Sequence, residues 1–457
     1  MSIALSRDIF REYDIRGVAG DDLTPEVARL VARAYAAFLA GRNVSGTIAV
    51  GRDNRPSGVD LHREMVAGLL ESGLDVVDIG VVPTPLAYWA QHNLDVAGGI
   101  QITGSHNPPE FNGFKLGLGT RSIYGEDIQK IYELAVAGTF PSGKGSSRDE
   151  AIIERYVDDV VARVGPISRP LKVVADAGNG AGALVAPMLF RKLGQPVRCL
   201  FCESDGTFPN HHPDPTLPEN LADLIAAVKA DHADVGIAFD GDADRIGVID
   251  DTGGIIWGDQ LLIIYARDVI ARKGKGQPII FDVKCSQALP ESIEKAGGKP
   301  IMWKTGHSLI EEKMHETGAP IAGEMSGHIF FAEGYYGFDD ALYGAARLLR
   351  IVADSGRSIH EMLADVPRFV STPELRVACP DDRKFAIVDE AKKHFAAIHD
   401  VIDVDGVRVL FGDGWGLIRA SNTQPVLVMR FEARTRAHLD AIKSEMEGWL
   451  RQHGVEV

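Results

Sequence analysis

Cysteine is scarce in this chain of 457 residues: Cys199, Cys202, Cys285 and Cys379 are the whole supply. Four are too few to staple a protein of this length, which excludes a disulfide framework. Cys199 and Cys202 do form a C-x-x-C, but within VRCLFCE, an apolar run that reads as a strand. A redox pair wants a helix N-terminus and a zinc site wants a second pair, so core cysteines are the expectation. Long apolar runs are missing too. No stretch of about 18 uncharged apolar residues occurs, so no helix should span a membrane. The opening MSIALSRDIFREYD meets charge at Arg7 and Asp8 before a secretory apolar core could form, and a cytoplasmic protein is expected. Positive charge is in deficit, with 48 Lys and Arg against 64 Asp and Glu and a net charge of −16. That disfavours nucleic acid and anionic membranes as partners. It would repel small anions as well, unless a cleft reverses the sign locally.

What is present is ordinary globular material: 45% hydrophobic and 25% charged residues, over a length suited to two to four domains. A strand–helix rhythm fills the first three-quarters. Three apolar runs, GTIAVGRD, LKVVADAG and QPIIFDVK, read as buried parallel strands followed by helical patterns. Some way after each comes another short apolar run that ends in a polar, glycine-bearing loop: GGIQITGSHNP, DVGIAFDGDADR and APIAGEMSGHIF. The recurrence predicts three related α/β domains, each presenting one chemical loop at a strand end, where ligands sit in open α/β sheets. The linker-like GTFPSGKGSSRDE closes the first domain, which gives 1–150, 151–254, 255–367 and, for the tail, 368–457. That tail reads as β-α-β-β-β-α, a compact α+β domain.

In TGSHNPPEFNGFK, Pro108 and Pro109 forbid helix while Gly104 and Gly113 allow sharp turns, so Ser105 is expected exposed on a rigid loop. With His106 beside it and Lys115 beyond, it could be a nucleophile or phosphate carrier; equally, the loop's Ser and Asn could only cap a turn. FDGDADR sets Asp240, Asp242 and Asp244 at alternate positions. Carboxylates so spaced can converge on one hard cation and otherwise repel. An EF-hand is excluded, since Arg245 stands where its glycine would be and Asp251 where its glutamate would be. Mg²⁺ is the default, because three carboxylates leave positions for water or a phosphoryl oxygen. GEMSGH offers an acid, a hydroxyl and an imidazole to sugar hydroxyls, and RASNTQP an anion cradle with Arg419. In REYDIRG, Arg16 is either catalytic or paired with Asp14. One further pattern, Gly178, Gly180 and Ala183 in ADAGNGAGA followed by Glu203, satisfies a dinucleotide fingerprint. It leaves the Ser105, Asp240 and Arg419 loops unexplained.

Taken together and in order, REYDIRG, TGSHNP, DGDADR, GEMSGH and RASNTQP resemble the α-D-phosphohexomutase family over essentially the whole chain. The resemblance implies an α/β fold: three similar α/β domains with mixed sheets plus a C-terminal α+β domain around a central cleft. It also implies that Ser105 is the phosphoserine of the resting enzyme. Asp240, Asp242 and Asp244 would bind Mg²⁺, with a phosphoserine oxygen as a further ligand. By the same resemblance Glu324 and Ser326 grip the sugar's 3- and 4-hydroxyls, while Arg419, Ser421, Asn422 and Thr423 hold the phosphate that is not reacting. Tyr13, Arg16, Lys115, Arg245, Lys284, His307 and His328 match further active-site positions. Lys115 and His328 rank ahead of Arg16 for proton transfer, because Arg is hard to deprotonate.

The reaction so implied is reversible phosphoryl transfer between hexose 1-phosphate and hexose 6-phosphate through a hexose 1,6-bisphosphate. GEMSGH, in place of a GEES-type loop, favours use of both glucose and mannose phosphates, and a monomer acting on small sugar phosphates is expected. Two rival readings stand beside it. One is a Mg²⁺-dependent sugar phosphatase or phosphotransferase with Asp240 as nucleophile; the other is a nucleotide-binding sensor or dehydrogenase built on the Gly178 loop. On the mutase reading, the charge of −16 becomes an acidic exterior around a basic pocket of Arg16, Lys115, Arg245, Lys284 and Arg419.

Overall fold

GTIAVGRD, LKVVADAG and QPIIFDVK form interior strands of three sheets in the computed structural model, which describes residues 5–422 and 424–457. Each pairs in parallel with the strand that carries the next polar loop. Thr47–Arg52 pairs with Gly98–Ile102, Val173–Asp176 with Val235–Phe239, and Pro278–Asp282 with Ile321–Gly323. Strands flanked on both sides and covered on both faces are buried along most of their length, which explains why they read as continuous apolar runs. The sheets are mixed, as expected. Gly98–Ile102 runs antiparallel to Phe111–Leu118, and Val235–Phe239 antiparallel to Ile246–Asp250.

The chain divides into two bodies, the first made of residues up to Leu261 with Ser326–Leu363, the second of Leu262–Met325 with Ala364–Val457. In the first, a seven-stranded sheet is covered by helices such as Pro25–Ala40. That helix starts where Thr24 accepts a hydrogen bond from the Val27 N–H and Pro25 presets the first turn. Its Val27, Val31, Tyr35 and Phe38 face the core. A five-stranded sheet follows, with Val197–Leu200 at one edge.

That edge corrects the reading of the cysteines. Cys199 and Cys202 are only half-buried and are joined by a disulfide. An edge strand leaves one side uncovered, and Phe201, at φ +50°, turns the chain back so that the two sulfurs meet. The glycine-rich segment after Val173–Asp176 is filled by protein. The Ala181 N–H donates to the Gly241 carbonyl, and a Cβ on Gly180 would lie 2.6 Å from that same oxygen. Glu203 is exposed, with its carbonyl accepting from Asn179. No dinucleotide cradle is left.

In the second body, Pro278–Asp282 also pairs in parallel with Lys299–Trp303. The C-terminal antiparallel sheet carries the helices Asp381–Ala396 and Arg436–Gln452 over a core that includes Phe395, Phe431, Met446 and Trp449. Four strands follow the first of these helices instead of the three expected. VIDVDGVRVL is a hairpin, with Asp400–Ile402 antiparallel to Val407–Leu410 around Gly406 at φ +76°. The Asp-Gly pair breaks the run, because Gly accepts the left-handed turn. No helix among the described residues is long and apolar enough to cross a membrane.

Candidate active site

Two connections of the first body carry the serine and aspartate motifs. The loop between Gly98–Ile102 and Phe111–Leu118 holds Ser105, and the hairpin between Val235–Phe239 and Ile246–Asp250 holds the three aspartates. They meet backbone to backbone: a Cβ on Gly241 would lie 2.4 Å from the Ser105 carbonyl oxygen. Ser105 is therefore only 3% exposed, not displayed on an open loop as its sequence suggested. The covering element lies more than a hundred residues away in the chain. Ser105 Oγ donates to Asp240 Oδ2 at 3.2 Å and lies 3.1 Å from His106 Nδ1. Desolvation, with the Arg245 and Arg16 charges, holds His106 well below its ordinary pKa, so the imidazole beside the serine is neutral.

Asp240, Asp242 and Asp244 are fully buried, and one oxygen from each lies within 4.8 Å of the others. Their neighbours distinguish them. Asp240 Oδ1 accepts the backbone N–H groups of Asp244 and Arg245 at 3.1 and 3.2 Å. Asp242 Oδ2 accepts the hydroxyls of Thr84 and Thr103. Asp244 Oδ2 meets Lys115 Nζ at 2.5 Å. Burial, then Asp244 and Asp242, push the Asp240 pKa well up; burial opposes ionisation of Asp244 too, but Lys115, His328 and Arg245 outweigh it and hold that carboxyl far down. Asp242 Oδ1 and Asp244 Oδ1 are buried with no hydrogen-bond partner. Buried, like-charged, partly orphaned carboxylate oxygens fit a hard divalent cation.

Basic groups surround this cluster. Burial works against the Lys115 ammonium, but Asp244 leads the charges that raise its pKa well above the usual value. His328 Nδ1 lies 2.7 Å from Asp339 and its Nε2 accepts from Arg245 Nε at 3.0 Å, an arrangement that fixes the tautomer. Burial and Arg245 oppose its protonation, while Asp244 and Asp339 favour it and prevail. Half-buried Ser326 precedes Gly327, whose carbonyl accepts the Ile246 N–H and seats this loop on the hairpin strand. Arg16 pairs with Asp14, the second of its two readings, and also donates to the Gly104 carbonyl at 3.2 Å. Tyr13 is half-buried just upstream.

In the second body, Lys284 follows Pro278–Asp282 and is buried, 3.2 Å from Glu374 and 3.8 Å from Asp282. Glu374 leads the charges that overcome burial and raise its pKa. Glu324 is buried at the end of Ile321–Gly323, its Oε1 accepting the Gly306 N–H next to His307, which opens a helix. Asp405 ties the set together, accepting from the Thr305 N–H at 3.0 Å and from Arg419 Nε at 2.6 Å. Ser421 accepts the Gln424 N–H, Asn422 is half-buried beside it, and Thr423 lies outside the described residues. Asp53, Thr84, Asp339, Glu374 and Asp405 were missed by sequence reasoning. Asp339 in GFDDAL was the most findable, since Asp340 alone suffices to cap the helix Ala341–Ser355.

Four family models match in succession: phosphoglucomutase/phosphomannomutase alpha/beta/alpha domain I over residues 7–141, domain II over 154–254, domain III over 257–369 and the C-terminal domain over 374–448. The chain is 47% identical over 448 residues to the phosphomannomutase/phosphoglucomutase of Pseudomonas aeruginosa, covering 98% of this chain and 96% of that one. It is 46% identical over 454 residues to a phosphoglucomutase of Neisseria meningitidis, covering 98% of each. A crystal structure of a phosphoglucomutase/phosphomannomutase family protein from Burkholderia thailandensis, 44% identical, superposes with a TM-score of 0.91 over 98% of both chains. Sheets, loops and relatives agree, and this chain belongs to the phosphoglucomutase/phosphomannomutase family.

Proposed function

We propose that the protein is a phosphoglucomutase/phosphomannomutase that interconverts hexose 1-phosphates and hexose 6-phosphates through a phosphorylated Ser105. The observation that carries this reading is the buried Ser105 Oγ, 3.2 Å from Asp240 within a converging set of three acids. Each domain brings one loop: 1–150 the phosphoserine, 151–254 the metal ligands, 255–367 the sugar-binding residues and 368–457 the phosphate cradle. Phosphoryl transfer needs positioning and charge neutralisation more than covalent help. Mg²⁺, held by Asp240, Asp242, Asp244 and an oxygen of the Ser105 phosphate, supplies that neutralisation when bound.

The chain's own side chains do the rest. Lys115 and Arg245 place positive charge beside the transferring group. Of the two proton-transfer candidates, His328, aligned by Asp339, receives the proton of the accepting hydroxyl, and Lys115, held protonated beside Asp244, returns one to the departing oxygen. Arg16 steadies the Gly104 carbonyl and so the serine loop. Glu324 and Ser326 hold the 3- and 4-hydroxyls and leave C2 unread, so glucose and mannose phosphates both serve. The Arg419, Ser421, Asn422 and Thr423 cradle holds the distal phosphate, and Tyr13, Lys284 and His307 are further substrate-binding residues. The bisphosphate formed in the first half turns about, and its other phosphate returns to Ser105. The relatives matched over nearly the full length are phosphomannomutase/phosphoglucomutases and phosphoglucomutases, which speaks against a phosphatase with Asp240 as nucleophile. We place the enzyme in the cytoplasm as a monomer acting on small sugar phosphates.

Mass analysis of the purified protein tests the reading: a gain of about 80 Da on the Ser105 peptide is expected. Ser105→Ala should abolish the conversion of glucose 1-phosphate to glucose 6-phosphate. Substantial turnover in that variant would refute the serine mechanism.

A further inference from the structure

A buried guanidinium lies beneath the serine loop. Arg55 is fully buried, yet none of its hydrogen bonds goes to the acids of the metal cluster or to a group assigned to the sugar. Its Nε donates to Asp53 Oδ2 at 3.0 Å. Its Nη2 donates to the carbonyls of Ser105 and Asn107, both at 2.7 Å, and its Nη1 to those of Pro108 and Phe111, at 2.5 and 3.1 Å. A guanidinium has five N–H donors in a fixed planar fork. All five are used here, four of them on consecutive turns of one loop.

Asp53 works on the same loop from the other side. Its Oδ2 also accepts the Gly104 N–H at 3.2 Å and lies 2.9 Å from the Thr103 hydroxyl, whose single proton it shares with Asp242. Gly104 has to be glycine, since a Cβ there would lie 2.5 Å from Arg55 Cζ. The loop needs such restraint because Ser105 sits at φ +50°, in the left-handed region that a serine leaves unless its surroundings hold it. The Ser105 carbonyl is one of the four oxygens gripped. From beneath, the Phe208 ring lies 4.9 Å from the guanidinium.

We infer that Arg55, charge-matched by Asp53, is the positioning residue that holds Ser105 in its left-handed conformation and so aims Oγ at Asp240. The inference rests on the phosphoserine reading above. Burying a guanidinium is costly unless every donor is matched, and here the matching is spent on the nucleophile's own backbone. Lysine, with three donors on one nitrogen, cannot span the same oxygens.

The test is single-turnover phosphoryl transfer from glucose 1,6-bisphosphate to dephosphorylated enzyme, followed by intact mass, alongside steady-state kinetics and thermal melts. Arg55→Ala should slow transfer about 100-fold, the loss that a displacement of about 1 Å brings. KM for glucose 1-phosphate should stay within about twofold, because the residues assigned to the sugar are untouched. Arg55→Lys should recover part of the rate. Asp53→Asn, close to isosteric, should slow transfer in the same sense, and it carries the test should Arg55→Ala fail to fold. If Arg55→Lys and Asp53→Asn transfer phosphate at the native rate while melting lower, Arg55 serves the fold alone and the inference is wrong. If the unsubstituted protein gains no mass at Ser105, the phosphoserine reading fails, a result separate from either outcome for Arg55.

Discussion

Around Ser105 the buried acids Asp53, Asp240, Asp242, Asp244 and Asp339 outweigh their bases, whereas in the second body Lys284 and Arg419 each already face a carboxylate. The first arrangement is short of positive charge and holds orphaned oxygens, so it has the make-up of a cation site. In the second the bases are engaged already, Lys284 by Glu374 and Asp282 and Arg419 by Asp405. A phosphate entering there would compete with Glu374 and Asp405 for donors that are already oriented, so binding becomes an exchange of one anion for another. On the proposed function, one region would wait for a metal and the other would trade partners, which suits a nucleophile that stays and a substrate that must turn over.

That contrast can be broken most sharply by removing the cation. Treatment with EDTA should lower the mutase rate by about a thousandfold or more, with Mg²⁺ restoring it. A chelated enzyme at full rate would remove the basis for the first half of the comparison. Next in size, Lys284→Ala and Arg419→Ala should raise KM for hexose phosphates about 10- to 100-fold while leaving Ser105 phosphorylated. Loss of kcat at unchanged KM would instead place both residues outside substrate binding.

A smaller effect should appear in acid. Lys284 foremost, and Arg376 after it, hold the Glu374 carboxyl at about 2 against the opposing effect of burial. A depressed carboxylate contributes stability above its unfolded pKa of about 4.3 and loses it as pH falls towards 2. Melting temperatures of Glu374→Gln should accordingly depend less on pH than the native protein's over that window, and equal slopes would show the pair to be idle. Smallest of all, Cys199→Ser should cost about 2 kcal/mol, the closure entropy of so short a loop, with activity unchanged. Melts with and without reductant, alongside the coupled assay, would check it; a fall in rate would tie that edge to catalysis.

Much of the site was legible because its chemistry is locally crowded. Three aspartates at alternate positions are costly without a cation whatever the fold, and a serine between glycine and two prolines marks a rigid turn. The repeat was legible because strands buried on both faces leave uninterrupted apolar runs. What escaped was decided by distant contacts. The burial of Ser105 depends on a hairpin from another sheet, and no local pattern shows it. Asp53, Arg55 and Asp405 look like ordinary turn and surface residues until the chain brings their partners close. The cysteine pair was misread for a related reason: strand character was visible, but position at a sheet edge was not. In VIDVDGVRVL, the Asp-Gly turn signal was present and outvoted by the apolar residues around it.

The stacking of Ser105, Gly241 and Gly180 backbone has a bearing on the life of the newly made chain. The Ser105 loop belongs to the first sheet and the three aspartates to the second, and the two fit only because glycine leaves room for a carbonyl at each level. On the proposed mechanism, a ribosome-bound chain folded only as far as residue 150 would therefore possess the serine without the acids that help to charge it. Competence would then arrive with assembly, and a half-made enzyme could not draw phosphate from the sugar pool.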